Sequence, residues 1–141
     1  MLDGYQIVER MPTPDEYGTI VRAVGWEPVL NFDAVPESLR RSLFGVVATY
    51  EGQVIGMGRI VGDGAMYFYI QDIAVLPEHQ HRGVGHQIMQ HLLAYLRANA
   101  PDKAFVGLFA TENTGPFYER YGFLVRSSLT GMYQVILRVE Q

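Results

Sequence analysis

A chain of 141 residues, 48% apolar and 18% charged, is sized and composed for one folded domain, which excludes disordered and fibrous classes. The net charge of −4, with no run of Lys or Arg, argues against nucleic-acid binding. The lack of cysteine excludes disulfides and thiol chemistry. No apolar run reaches membrane-spanning length, and MLDGYQIVERM does not read as a secretion signal, so a cytoplasmic location is expected.

In chain order, Tyr5 to Val8 reads as a first strand. A helix is expected from Pro14 to Val24, with Thr13 as cap and Ile20, Val21 and Val24 as its buried stripe. Gly25 ends it. Trp26 to Pro36 reads as a loop with exposed-looking aromatics, Trp26 and Phe32, and Pro36 to Ser42 as a short helix. Phe44 to Tyr50 and Gln53 to Val61 form a hairpin around Glu51-Gly52. After the turn at Gly62-Asp63-Gly64, Ala65 to Leu76 reads as the longest strand, stopped by Pro77.

A long helix follows Gly83. Gly85, Ile88, Met89, Leu92, Leu93 and Leu96 recur at helical spacing, and Asn99 and Pro101 end it. Lys103 to Ala110 reads as a buried strand, parallel to the one before the helix through a right-handed crossover. Pro116 to Tyr121 is a short helix closed by Gly122. Phe123 to Ser127 and Met132 to Val139 read as the last two strands.

The turn before the long helix breaks three rules at once. His81, Arg82 and His86 place positive charge where the helix dipole disfavours it, at about 0.3–1 kcal/mol each when ionised. Gly83 and Gly85 weaken the first turn by up to ~1 kcal/mol each, and no Ser, Thr, Asp or Asn caps it. A bound polyanion answers all three. Its oxygens cap the first N–H groups, its charge matches the basic residues, and the glycines admit its bulk. The G-x-G-x-x-G dinucleotide pattern does not fit, because its third position is Ile88. His79, His81, His86 and His91 lack a companion carboxylate, so no metal is expected.

Gln80-His81-Arg82-Gly83-Val84-Gly85 resembles the Q/R-x-x-G-x-G/A signature of the GNAT superfamily of acyl-CoA-dependent N-acyltransferases. Asp72-Ile73-Ala74-Val75-Leu76-Pro77 resembles the end of that family's fourth strand. The block from Pro116 to Phe123 resembles its late helix, with Tyr118 and a terminal Gly-Phe. The resemblance covers nearly the whole chain, as one domain over residues 1–141. It implies an α/β (α+β) fold: a mixed, mostly antiparallel sheet of about seven strands, flanked by helices and splayed between strands 4 and 5.

It also implies acetyl-CoA as co-substrate. Gln80, His81, Arg82, Gly83, Val84, Gly85 and His86 would hold the pyrophosphate. The backbone of Ile73, Ala74 and Val75 would pair with the pantetheine arm, with Asn113 and Phe117 as further contacts. An amine would attack the thioester directly, with the N–H of Ile73 or Ala74 facing the carbonyl oxygen. An alkyl amine is mostly protonated at pH 7, with about 1 in 2,500 molecules neutral, so a proton must be removed.

Tyr118 is the candidate donor to the leaving thiolate. Asp72 is the candidate base, against a structural carboxylate; Glu27, Glu112 and a water relay are alternatives. Strand alternation puts Tyr67, Tyr69, Gln71 and Ile73 on one face and Phe68, Ile70, Asp72 and Ala74 on the other. Trp26, Phe32, Tyr67, Tyr69 and Gln71 are candidates for an acceptor site taking a small-molecule or peptide amine. The family also carries an expectation of homodimers. The rival reading is a catalytically silent acyl-CoA sensor or interaction module.

Overall fold

The computed structural model of the chain describes residues 3–138. Backbone contacts divide the chain into two compact units, Met1–Leu108 and Phe109–Gln141.

The first unit is built on a five-stranded sheet in sequence order, β1 (Tyr5–Val8), β2 (Phe44–Tyr50), β3 (Gln53–Gly62), β4 (Tyr67–Val75) and β5 (Phe105–Gly107). The first four strands are antiparallel and β5 is parallel to β4. Its helices are α1 (Pro14–Ala23), α2 (Val35–Arg40) and α3 (Val84–Asn99). The architecture is thus mixed α/β with a mostly antiparallel sheet flanked by helices. Among the described residues it has five strands, not the expected seven or so.

Local chemistry explains where these elements begin. Thr13 Oγ1 accepts from the Glu16 N–H at 3.1 Å, and Glu16 Oε1 accepts from the Thr13 N–H at 2.8 Å, a reciprocal cap that starts α1. At the hairpin, Glu51 (φ +50) and Gly52 (φ +81) are both left-handed, as a two-residue turn between twisted strands requires. Asp63 Oδ1 accepts from the N–H groups of Ala65, Met66 and Tyr67 and so starts β4.

The helices cover both faces of the sheet. Tyr17, Ile20 and Val21 of α1 and Val35 and Leu39 of α2 form one buried cluster with Met57 of β3 and Ala74 of β4. Trp26 and Phe32 pack against that cluster half-buried, rather than standing exposed, and Glu27–Val29 and Phe32–Ala34 in their loop are single 3-10 turns. Val84, Ile88, Met89, Leu92 and Leu96 are the buried stripe of α3, which lies on β2, β3 and β4. A Cβ on Gly58 would stand 2.6 Å from Ile88 Cγ2, so glycine is what lets α3 approach the sheet.

The expected strand from Lys103 to Ala110 shrinks to three residues. Lys103 takes a left-handed turn (φ +64), and Phe105 and Phe109 are exposed rather than buried.

The second unit contains α4 (Gly115–Glu119). Neither of the two last expected strands forms. Arg126 and Leu129 make an isolated bridge, and residues 131–138 are not strand; Val139 lies outside the described residues. Leu124, Val125, Met132, Tyr133 and Leu137 are all largely exposed. An alternating apolar pattern becomes a strand only where a partner edge and a buried face receive it. Among the described residues, no helix is long and apolar enough to cross a membrane.

Gly58→Ala is expected to lower unfolding stability by about 1–3 kcal/mol, because the added Cβ would collide with Ile88, a fully buried side chain. Urea denaturation checks this, and unchanged stability would show that α3 can shift off β3.

Candidate active site

The turn between β4 and α3 is built to present bare amides. His81 (φ +63) and Gly83 (φ +84) are both left-handed, and residues 81–83 are exposed. Gly83 is the N-cap of α3 and supplies no side-chain cap, and the first turn of the helix holds no acidic residue. The N–H groups of Val84 and Gly85 belong to that first turn, where no intrahelical acceptor exists. A non-glycine residue at φ near +60° costs about 1–2 kcal/mol, so His81 holds a shape the turn demands.

Side chains anchor this turn to the sheet. Gln80 Nε2 donates to the Val75 carbonyl at 2.9 Å, tying the turn to the end of β4. The Leu76 N–H donates to the Ile55 carbonyl at 2.8 Å. His79 Nδ1 and the Tyr5 hydroxyl are 2.7 Å apart, with the imidazole edge-on to the Tyr5 ring and tilted against Tyr50. His91 lies 3.1 Å from Glu9, and no three His, Cys, Asp or Glu side chains gather as a metal site among the described residues.

β4 pairs with β5 only over Tyr67–Tyr69. From Ile70 to Val75 the strand therefore has a strand neighbour on the β3 side alone. This leaves the backbone of Ile73, Ala74 and Val75 without a β5 partner next to the uncapped start of α3.

β4 is also irregular. Its register with β3 slips between Met57↔Ala74 and Arg59↔Gln71, so Asp72 and Ile73 together oppose Gly58. Asp72 sits at this bulge with φ +58. The bulge overturns the simple alternation expected for the strand. Ile70 pairs with Ile60 on the α3 face, and Ile73 meets the place where a Gly58 Cβ would point, beside Ile88 and Leu92. Gln71 pairs with Arg59 on the opposite face, and Asp72 and Ala74 face the same way, toward α1. Asp72 thus shares a face with Gln71 and Tyr69, not with Phe68 and Ile70.

One oxygen of the Asp72 carboxylate is engaged there. Oδ2 accepts from Arg59 Nε at 2.7 Å and from the Tyr17 hydroxyl at 3.1 Å. Arg59 Nη1 also donates to the Ser38 carbonyl, Ser38 Oγ and Ser42 Oγ at 3.0, 3.1 and 3.0 Å. The side chains of Arg59 and Asp72 are only 11% and 15% exposed, which makes this an interior ion pair. Burial, and then the charge of Asp72, push the Tyr17 hydroxyl up to about 12.

Tyr17 and Arg59 also line a cavity of about 180 Å³ walled by Leu30, Val35 and Leu39. Neither residue is prominent in the sequence. A lone arginine inside the apolar run GMGRIVG was the available signal, since a buried charge needs a partner.

Trp26 and Phe32 pack on the α1 cluster, and the Arg22 guanidinium covers the Phe32 ring at 4.7 Å. Tyr69 lies across from Gly107 near the β5 edge, its ring 6.2 Å from Phe105.

The model of the acetyltransferase (GNAT) domain matches residues 42–125, which hold the turn, β4 and α3. The chain belongs to the GNAT acetyltransferase family. It is similar to SA2161 of meticillin-resistant Staphylococcus aureus, a protein of unknown function provisionally named an acetyltransferase. That match has 30% identity and a TM-score of 0.86, covering 94% of this chain and 99% of that one. It is also similar to the GNAT-family acetyltransferase SP0256 of Streptococcus pneumoniae, at 28% identity and TM-score 0.80, over 95% and 99% of the two chains. Glucosamine-6-phosphate N-acetyltransferase of Arabidopsis thaliana shares the fold at 15% identity and TM-score 0.64, over 92% and 97%. No protein of curated function matches the chain.

The remaining GNAT-type candidates lie in the second unit. Asn113 is left-handed (φ +68) in the exposed loop before α4. Phe117 packs edge-on against Tyr118 and Tyr121, with the Arg120 guanidinium over its ring. Tyr118 is half-buried, and burial raises its hydroxyl above the ordinary tyrosine value.

Tyr17 gives a prediction with a definite sign. Between pH about 10 and 12 the unfolded chain has lost the Tyr17 proton and the folded chain has kept it, so stability falls as pH rises. The slope from this group is at most ~1.4 kcal/mol per pH unit. Urea melts at about pH 9 and pH 11 should show a smaller alkaline loss in Tyr17→Phe than in the parent. Equal losses would mean that Tyr17 titrates normally.

Proposed function

We propose that this GNAT-family chain moves an acetyl group from acetyl-CoA to a primary amine by direct attack in a ternary complex. The uncapped start of α3 carries this reading. It combines first-turn N–H groups, a left-handed Gly83, an exposed basic turn and no acidic residue. A diphosphate supplies the missing cap and the missing negative charge together. The half-paired edge of β4 beside it suits an extended amide-bearing arm, which can add to a strand as another strand would.

In the reaction the amine nitrogen bonds to the thioester carbon, the C–S bond breaks, and the amine loses a proton. The N–H of Ile73 or Ala74, next to the bulge, is the donor assigned to the carbonyl oxygen as it gains charge. Asp72 is poorly suited to take the proton, because Arg59 and Tyr17 already share its Oδ2. A water relay serves that step better. Tyr118 is assigned to the departing thiolate. Its raised hydroxyl makes full proton transfer less favourable still, which supports a hydrogen-bond donor.

Calorimetry with coenzyme A and acetyl-CoA should show binding heat that Gly83→Val combined with Gly85→Val removes without loss of fold. No heat with the parent protein at millimolar ligand would sink the reading. Tyr118→Phe should lower turnover ten-fold or more while acetyl-CoA affinity holds. An amine screen that detects released thiol separates an enzyme from a silent acyl-CoA sensor, which would bind and release nothing.

A further inference from the structure

The bulge in β4 needs something to hold it. A regular strand would return Asp72 to the α3 face and drive Ala74 out of the α1 cluster, since one residue of slip reverses every side chain beyond it. A left-handed aspartate is not held by its own preference; such backbone persists where surrounding groups over-determine it.

Those groups are identifiable. Arg59 Nε and the Tyr17 hydroxyl converge on the single oxygen Asp72 Oδ2, at 2.7 and 3.1 Å. Arg59 is itself fixed at its far end by the Ser38 carbonyl and the hydroxyls of Ser38 and Ser42. The guanidinium therefore bridges α2 and the bulge across β3, and Tyr17 bridges α1 to the same point. The amides that follow are those of Ile73 and Ala74.

We propose that Arg59 and Tyr17 are positioning residues that act through Asp72, holding the β4 bulge so that the next amides face the thioester carbonyl. This rests on the acetyl-transfer reading above. Neither residue touches the reacting atoms. Displacing a reacting geometry by about 1 Å costs on the order of a hundred-fold in rate, which sets the scale.

The test is steady-state kinetics with acetyl-CoA and an amine found by the screen, beside calorimetry with coenzyme A. Tyr17→Phe and Arg59→Lys should each lower kcat about ten- to hundred-fold. Coenzyme A affinity and the KM for acetyl-CoA should stay within about two-fold, and the calorimetric stoichiometry should match the parent's, which excludes an unfolded fraction as the cause of the lower kcat. Thermal melts establish that each variant is folded, and Tyr17→Phe, which removes one hydroxyl, carries the test if Arg59→Lys unfolds. Asp72→Asn tolerates the left-handed backbone. It should lose rate yet keep the acid limb of the pH–rate profile at the same midpoint.

Unchanged kcat in Tyr17→Phe and Arg59→Lys overturns the proposal, as does coenzyme A affinity that falls in step with kcat. Disappearance of the acid limb in Asp72→Asn also overturns it, since Asp72 would then be the base. A parent protein that neither binds coenzyme A nor turns over removes the acetyl-transfer reading itself. A parent that does both, with variants equally fast, removes only the positioning role.

Discussion

The ion pair between Arg59 and Asp72 sets how β4 runs through the middle of the first unit. Its net worth to stability is modest, because the Coulomb attraction is offset by the cost of taking both charges out of water. Its value is geometric. Losing either partner would leave the other charge unpaired in the interior, so the pair tolerates one arrangement and excludes its neighbours. That arrangement places the bulge, and the bulge decides which side chains of Ile73, Ala74 and Val75 go to α1 and which to α3.

The two helix layers are set on the sheet by opposite means. On one face, α1 and α2 add polar ties to their apolar cluster, with Tyr17, Ser38 and Ser42 reaching Arg59 and Asp72. On the other, α3 is seated by absence, since Gly56 and Gly58 leave room for Ile88. The close seat of α3 fixes where its first turn stands relative to the end of β4. Gln80 and His79 then pin the connecting turn from both sides, to Val75 and to Tyr5. The amide-bearing turn and the half-paired strand edge are placed in the same way: each is tied to a packed sheet instead of hanging from it.

The glycine turn, the hairpin and the long helix were legible because each is written in neighbouring residues. Glu51-Gly52 allows one kind of turn, and Ile88, Met89, Leu92 and Leu96 can share a face only in a helix. The family was legible for the same reason, since its motif lies in one contiguous stretch. Trp26 and Phe32 were misjudged as exposed because an aromatic in a loop carries no sign of what lies above it. The closing strands failed because strand pattern is necessary for a sheet but not sufficient.

The sequence alone determined where the bare amides lie, the order of most elements and the family to which the chain belongs, since these follow from local backbone preference and contiguous motifs. Only the tertiary structure decided that β4 carries a bulge, that Asp72 turns toward α1, and that Arg59 and Tyr17 meet on its carboxylate. Those facts depend on residues 13 and 55 positions apart, brought together by packing. No local propensity encodes a one-residue slip whose support comes from a neighbouring strand and from α1.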